Sequence, residues 1–238
     1  GTVTTGATTV TPSGGQGPYT YACQILQDPK ADNVQGFKEA WIQRYDLTGW
    51  STFNTYILVD PANEKNKRND YTVMWVVGLG ADNNYYVIDG VRDRLNLTER
   101  GDKLFELHQK YRPKDVRYEK YGMQSDIEHF KYRMEQDNYR FSISEVGGSV
   151  GKNDRIRRLI PLFESGRMYF PKGILYTDYE HKTHDLVTDF IEEEYKAFPV
   201  AVHDDMLDCL ARIADPDLTL LWPKPQPKRL VVSTKYIT

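Results

Sequence analysis

Three apolar runs lie early in the chain: FNTYILVD (53–60), DYTVMWVVGLG (70–80) and NYYVIDGV (84–91). Each is rich in β-branched and aromatic residues, which predicts buried strands. The stretch Gly80-Ala81-Asp82-Asn83 between the last two predicts an antiparallel hairpin. Beyond residue 97 the hydrophobic period lengthens. LTERGDKLFELHQKYRP (97–113) sets Leu104, Phe105, Leu107 and Tyr111 at helical spacing, with Thr98 as candidate N-cap and Pro113 as terminator. DVRYEKYG (115–122) predicts a short strand with Glu119 at its exit. SDIEHFKYRMEQDN (125–138) predicts a helix with Ile127, Phe130 and Met134 on one stripe. YRFSISEVGG (139–148) predicts a strand ending in glycines. NDRIRRLIPLFESG (153–166) predicts a helix kinked at Pro161. RMYFPKG (167–173) reads as an edge strand, and HDLVTDFIEEEYKAF (184–198) and AVHDDMLDCLARIAD (201–215) as helices. A three-strand antiparallel meander followed by alternating helices and strands is an α/β layout, a mixed sheet flanked by helices.

The ends lack this regularity. The first 21 residues are Thr- and Gly-rich, GFKEAWIQRY (36–45) suits a short helix or docking segment, and the end alternates Pro with Lys. The expected division is a junction over 1–50, the α/β domain over 51–215 and a tail over 216–238. The chain begins with Gly, as expected of a domain taken from a longer protein. A net charge of −3 carries no nucleic-acid signature, although an acidic site can mask basic patches in the sum. Cys23 and Cys209 fit no metal-ligand spacing and read as reduced thiols. No signal peptide and no membrane-length apolar stretch is present.

Candidate chemistry narrows by elimination. GGSVGKND imitates a phosphate-binding loop, but only three residues separate Gly147 from Gly151 and Asn153 stands where Ser or Thr is needed. The five histidines form no metal-binding cluster, and no serine sits in a nucleophile elbow. Carboxylates remain. Asp60 ends the first strand directly before Pro61, and Glu119 ends the fourth; neighbouring strand ends converge where α/β sites form. In the final helix Met206, Leu207, Leu210, Ala211, Ile213 and Ala214 form one apolar arc, with Asp205, Asp208 and Arg212 opposite and Asp204 at its edge. Acids favour a helix start as caps. Capping needs one or two of them and does not explain a third on the next turn, nor two more at strand ends. Two ionised carboxylates about 4–5 Å apart repel by roughly 3–4 kcal/mol at an effective dielectric near 20. Three converging therefore need protons or cations. An all-oxygen ligand set selects hard ions such as Mg²⁺ or Mn²⁺, and two such ions serve phosphodiester hydrolysis.

The order of first-strand Asp, fourth-strand Glu and late-helix Asp resembles the ribonuclease H-like superfamily. Within it, the chain resembles the nuclease domain of the large terminase subunit of tailed bacteriophages. The resemblance covers nearly the whole chain and is carried by YACQILQDPKADNVQGFKEAWI, ILVDPA followed by NDYTV, YEKYG, GKNDRIRRLIPLFESGRMYFP and HDDMLDCLA. It implies a metal-dependent endonuclease that cuts double-stranded DNA concatemers with two divalent cations, Mg²⁺ or Mn²⁺. Asp60, Glu119 and Asp205 are then the catalytic metal ligands and Asp208 an auxiliary one, while Asp204 and His203 stand beside them or cap the helix. Asp70 in NDYTV is expected to be structural. Lys152, Arg155 and Arg158 follow a Gly-rich loop and are expected to grip DNA phosphates; Arg157 reads equally as a solvated charge. Implied partners are viral DNA, an ATPase domain missing here, the portal protein and the small terminase subunit, in the host cytoplasm. With no Walker motifs, this chain is expected to cut but not pump. The alternatives are another ribonuclease H-like nuclease, such as a junction resolvase or transposase, and a non-cleaving docking module of a packaging motor.

Overall fold

The computed structural model describes residues 36–46, 49–61, 71–120 and 124–225. Most of the expected junction, Cys23, Asp70 and the end of the tail lie outside the described residues. The strands in chain order are β1 (Gln43–Arg44), β2 (Asn54–Asp60), β3 (Thr72–Leu79), β4 (Tyr85–Asp93), β5 (Asp115–Glu119), β6 (Ser144–Val146), β7 (Met168–Phe170), β8 (Leu175–Thr177) and β9 (Thr183–Asp185). The helices are α1 (Leu97–Tyr111), α2 (Gln124–Gln136), α3 (Lys152–Arg157), α4 (Ile160–Glu164), α5 (Leu186–Asp189) and α6 (Asp205–Ala211). Seven strands make one mixed sheet in the order β1-β7-β4-β3-β2-β5-β6, and β8 and β9 form a separate antiparallel hairpin. The meander β2-β3-β4 is antiparallel, as expected, and the pairings β2-β5, β5-β6, β4-β7 and β1-β7 are parallel.

The apolar runs are continuous because both sheet faces are covered. On one face Tyr56, Leu58, Val73, Trp75, Val77 and Val87 pack against residues of α3 to α6. On the other, Ile57, Val59, Met74, Val76, Ile88 and Val116 pack against α1 and α2. The two-residue period of a strand assigns each side chain its face. Gly90 in β4 makes the tightest helix approach: a Cβ there would stand 2.6 Å from the Trp75 ring and 2.8 Å from Leu186.

Several elements depart from the sequence expectation. Helix α1 is capped by Asn96, not Thr98, through a reciprocal box in which Glu99 bonds back to the Asn96 amide. Only Ser144–Val146 of the 139–148 stretch pairs as a strand. The 153–166 helix breaks into α3 and α4, as the constraint at Pro161 requires. The 184–198 helix becomes β9, α5 and then π-turns over Phe190–Tyr195. Of the residues outside the expected 51–215 domain, one strand joins the sheet and another segment bonds to a side chain of it. Strand β1 extends its edge, and near the end the Leu221 amide donates to Tyr56 Oη at 2.8 Å.

A buried ion pair ties α1 and α2 to β5. Arg100 donates to both oxygens of Asp126 at 3.0 and 2.9 Å, and the Tyr118 hydroxyl donates to the same carboxylate. Both charged groups are buried. Removing one member strands the other charge, so Asp126→Ala should cost about 3–5 kcal/mol. Urea denaturation of the two proteins measures this, and a loss below about 1 kcal/mol would show the pair to be dispensable.

Candidate metal centre

Strand register alone brings two acids together. Leu58 pairs with Arg117 and Val59 with Tyr118 in the parallel β2-β5 ladder. One step further places Asp60 beside Glu119, both on the face that carries Leu58 and Arg117. Helix α6 crosses that face, anchored where Trp75 Nε1 donates to the Met206 carbonyl at 3.0 Å and Cys209 Sγ lies 3.4 Å from the Leu58 carbonyl. The crossing delivers Asp208. Asp60, Glu119 and Asp208 each offer a carboxylate oxygen, all within 4.8 Å of one another.

The electrostatics are those of an overfilled anionic site. Burial raises the Asp60 pKa well above the ordinary carboxylate range, and Glu119, Asp208 and Asp205 push it further, with Lys152 opposing them. Arg155 clamps Asp208 through Nε at 2.6 Å and Nη2 at 2.5 Å. Arg212 Nη2 lies 2.6 Å from Glu119 Oε1, an ion contact poorly aligned for a hydrogen bond; among the described residues neither that nitrogen nor Glu119 Oε2 has a hydrogen-bond partner. Lys152 Nζ bridges Asp204 at 2.6 Å and Asp205 at 2.9 Å. Burial works against the ammonium charge, but Asp205 and Asp204 outweigh it and raise its pKa. Beneath the acids, burial and their negative charge push the Cys209 thiol up, which makes it inert.

The donor set fits a hard cation. It is all oxygen, and among the described residues Glu119 Oε2 is a buried acceptor without a partner and no Lys or Arg forms an ion pair with Asp60. The inner trio includes Asp208, which the sequence reading ranked below Asp205. Asp205 stands at the rim with Lys152. Asp204 is the N-cap residue by position but makes no side-chain cap bond. His203 packs edge-on against Tyr71 at 5.9 Å. Of the three expected phosphate contacts, Arg155 is buried on Asp208 and Arg158 pairs with Asp215 at 2.8 Å. Lys152 is the most exposed of them. Sequence reasoning missed the roles of Arg155 and Arg212. A signal existed for Arg212, which shares the α6 face of Asp208 one turn on. It also missed Glu194, a buried acid in the π-turns whose pKa burial lifts to about 7, against the Leu207 and Met206 amides and Arg92.

Residues 57–213 match the family model of the terminase RNaseH-like domain. No curated protein sequence matches the chain. Among solved structures, the human cytomegalovirus terminase nuclease domain, Mn-soaked and inhibitor-bound, aligns at 13% identity with a TM-score of 0.51, covering 76% of this chain and 95% of that one. The large terminase nuclease of thermophilic phage G20c with bound magnesium aligns at 15% identity and a TM-score of 0.43, covering 74% and 93%. At such identity the likeness to the cytomegalovirus domain speaks for the fold alone.

An acid whose pKa is raised on folding destabilises the fold at every pH above its folded value. The penalty fades as pH falls toward the unfolded value near 4. In chelator at neutral pH, Asp60→Asn should therefore be about 1–3 kcal/mol more stable than wild type. That advantage should shrink as pH is lowered. Urea melts at several pH values measure it, and an Asn variant less stable than wild type at pH 7 would show that Asp60 carries no such repulsion.

Proposed function

The chain belongs to the terminase RNaseH-like domain family, and we propose that it is a divalent-metal-dependent endonuclease that cuts double-stranded viral DNA. The observation that carries this reading is the convergence of Asp60, Glu119 and Asp208 to within 4.8 Å, with a buried oxygen on Glu119 that has no hydrogen-bond partner among the described residues. In this proposal those three carboxylates hold Mg²⁺ or Mn²⁺, with Asp205 at the rim as a further ligand. When bound, a pair of such ions supplies an activated water and stabilises the leaving oxygen of the phosphodiester. The protein contributes the fixed carboxylates and the low-dielectric walls of the sheet edge. Arg155 and Arg212 keep Asp208 and Glu119 oriented, so the acids need not reorganise to accept a cation.

Lys152, on the exposed side of the acids, is the side chain proposed to meet a DNA phosphate. The wider assignment is a cutting module of a packaging motor in the host cytoplasm, working with an ATPase domain, the portal protein and a small terminase subunit. No described helix is long and apolar enough to cross a membrane.

Supercoiled plasmid incubated with the purified chain should be nicked and linearised with Mg²⁺ or Mn²⁺, with little sequence preference, and left intact with chelator. Cutting that survives chelation would sink the proposal. Lys152→Ala should flatten the log–log salt dependence of DNA binding by about one unit. Arg155→Ala should leave that slope unchanged, since its guanidinium faces Asp208. Binding isotherms at several salt concentrations distinguish the two, and equal slopes for wild type and Lys152→Ala would remove Lys152 from the DNA surface.

A further inference from the structure

Helix α6 carries two of the site's acids but does not cap itself. Asp204 stands at the N-cap position, yet its side chain accepts nothing from the first turn and faces Lys152 instead. First-turn amides are unsatisfied donors, and a buried one is costly to leave unpaired. The Leu207 amide finds its acceptor on a distant segment: it donates to Glu194 Oε2 at 2.9 Å. Glu194 lies in the π-turns over Phe190–Tyr195, a geometry often found at functional sites. It is fully buried in an apolar stripe with Phe190, Ile191 and Tyr195. A carboxylate is a costly choice there unless it is needed. Its other oxygen makes no hydrogen bond among the described residues and lies 4.0 Å from Arg92 Nη2. Arg92 is held in turn by Glu193 at 2.6 Å and by the Tyr71 ring.

The bond from Leu207 acquires meaning with the one from Trp75. The Leu207 N–H and the Met206 carbonyl belong to a single peptide unit. Trp75 Nε1 donates to its oxygen at 3.0 Å and Glu194 accepts from its nitrogen at 2.9 Å. This peptide, gripped from both sides, lies in the chain between Asp205 and Asp208. We propose that Glu194 is a positioning residue, which with Trp75 sets the rotation and depth of α6 so that Asp208 meets Asp60 and Glu119. The inference rests on the metal-centre reading above and adds a group outside the acid cluster on which ion affinity depends.

Glu194→Gln keeps an acceptor oxygen, whereas Glu194→Met fills the same space without one. Mn²⁺ binding to the folded proteins, followed by electron paramagnetic resonance, should be within about twofold of wild type for E194Q. For E194M it should be about tenfold weaker, as when groups that orient metal ligands are removed. A merely structural role would lower the melting temperature and leave the Mn²⁺ affinity of folded E194M equal to wild type; that result overturns the proposal. Wild type that binds no Mn²⁺ sinks the metal-centre reading itself, and the two failures are thus distinct. Should E194M not fold, amide exchange in the metal-free wild type decides. A Leu207 amide exchanging as slowly as those of β3 supports the clamp, and one as fast as Asp205 overturns it.

Discussion

Mutual repulsion among the carboxylates at the β2-β5 edge is the constraint around which this structure is arranged. Oxygens of Asp60, Glu119 and Asp208 approach within 4.8 Å, which at an effective dielectric near 20 is about 3–4 kcal/mol for each ionised pair. A fold tolerates that only where fixed positive charge stands close by. Arg155 is committed to Asp208, Arg212 to Glu119 and Lys152 to the outer pair of acids. Asp60 has no such partner among the described residues, and burial with its acidic neighbours holds its pKa well above the ordinary carboxylate range. The compensation is therefore incomplete at Asp60, which is where a cation has most to gain.

The rest of the architecture holds this cluster in place. Strand register sets Asp60 beside Glu119 through the backbone pairing of β2 with β5. Covering both sheet faces keeps the β2-β5 pair rigid beneath them. A second array, in which Arg158, Arg212 and Arg117 surround Asp215 at 2.8, 3.3 and 3.7 Å, fixes the chain just beyond α6. These arginines satisfy acids that would otherwise be buried alone, so each pair matters more for where it holds the backbone than for net stability.

Much of this was legible in the sequence, for reasons particular to the residues. Tyr56, Leu58 and Asp60 share one parity, so a buried strand that ends in Asp-Pro has to present its carboxylate at the sheet edge. The three-strand meander announced itself through β-branched runs and one short turn. Asp208 was visible but its depth was not, because helical periodicity places Asp205 and Asp208 on one face and cannot say which lies deeper. Depth is set by the crossing of α6 over β2 and β3, a tertiary fact. Arg155 misled for the same reason. After a glycine-rich loop, a basic run reads as a phosphate grip, and only the packing of α3 against α6 turns Arg155 inward. Glu194 was the hardest to see, since in FIEEEY three identical acids follow one another. Its signal is positional: it falls on the stripe of Phe190, Ile191 and Tyr195, where an apolar residue is expected.

The central claim is that Asp60, Glu119 and Asp208 together form a site for a hard divalent cation. The most direct measurement is anomalous scattering from a crystal of the chain soaked in Mn²⁺. The account predicts an anomalous peak bounded by oxygens of these three residues, at the roughly 2 Å separations typical of hard-cation ligation. A peak elsewhere, or none at saturating Mn²⁺ with the three carboxylates held only by their arginines, would contradict it.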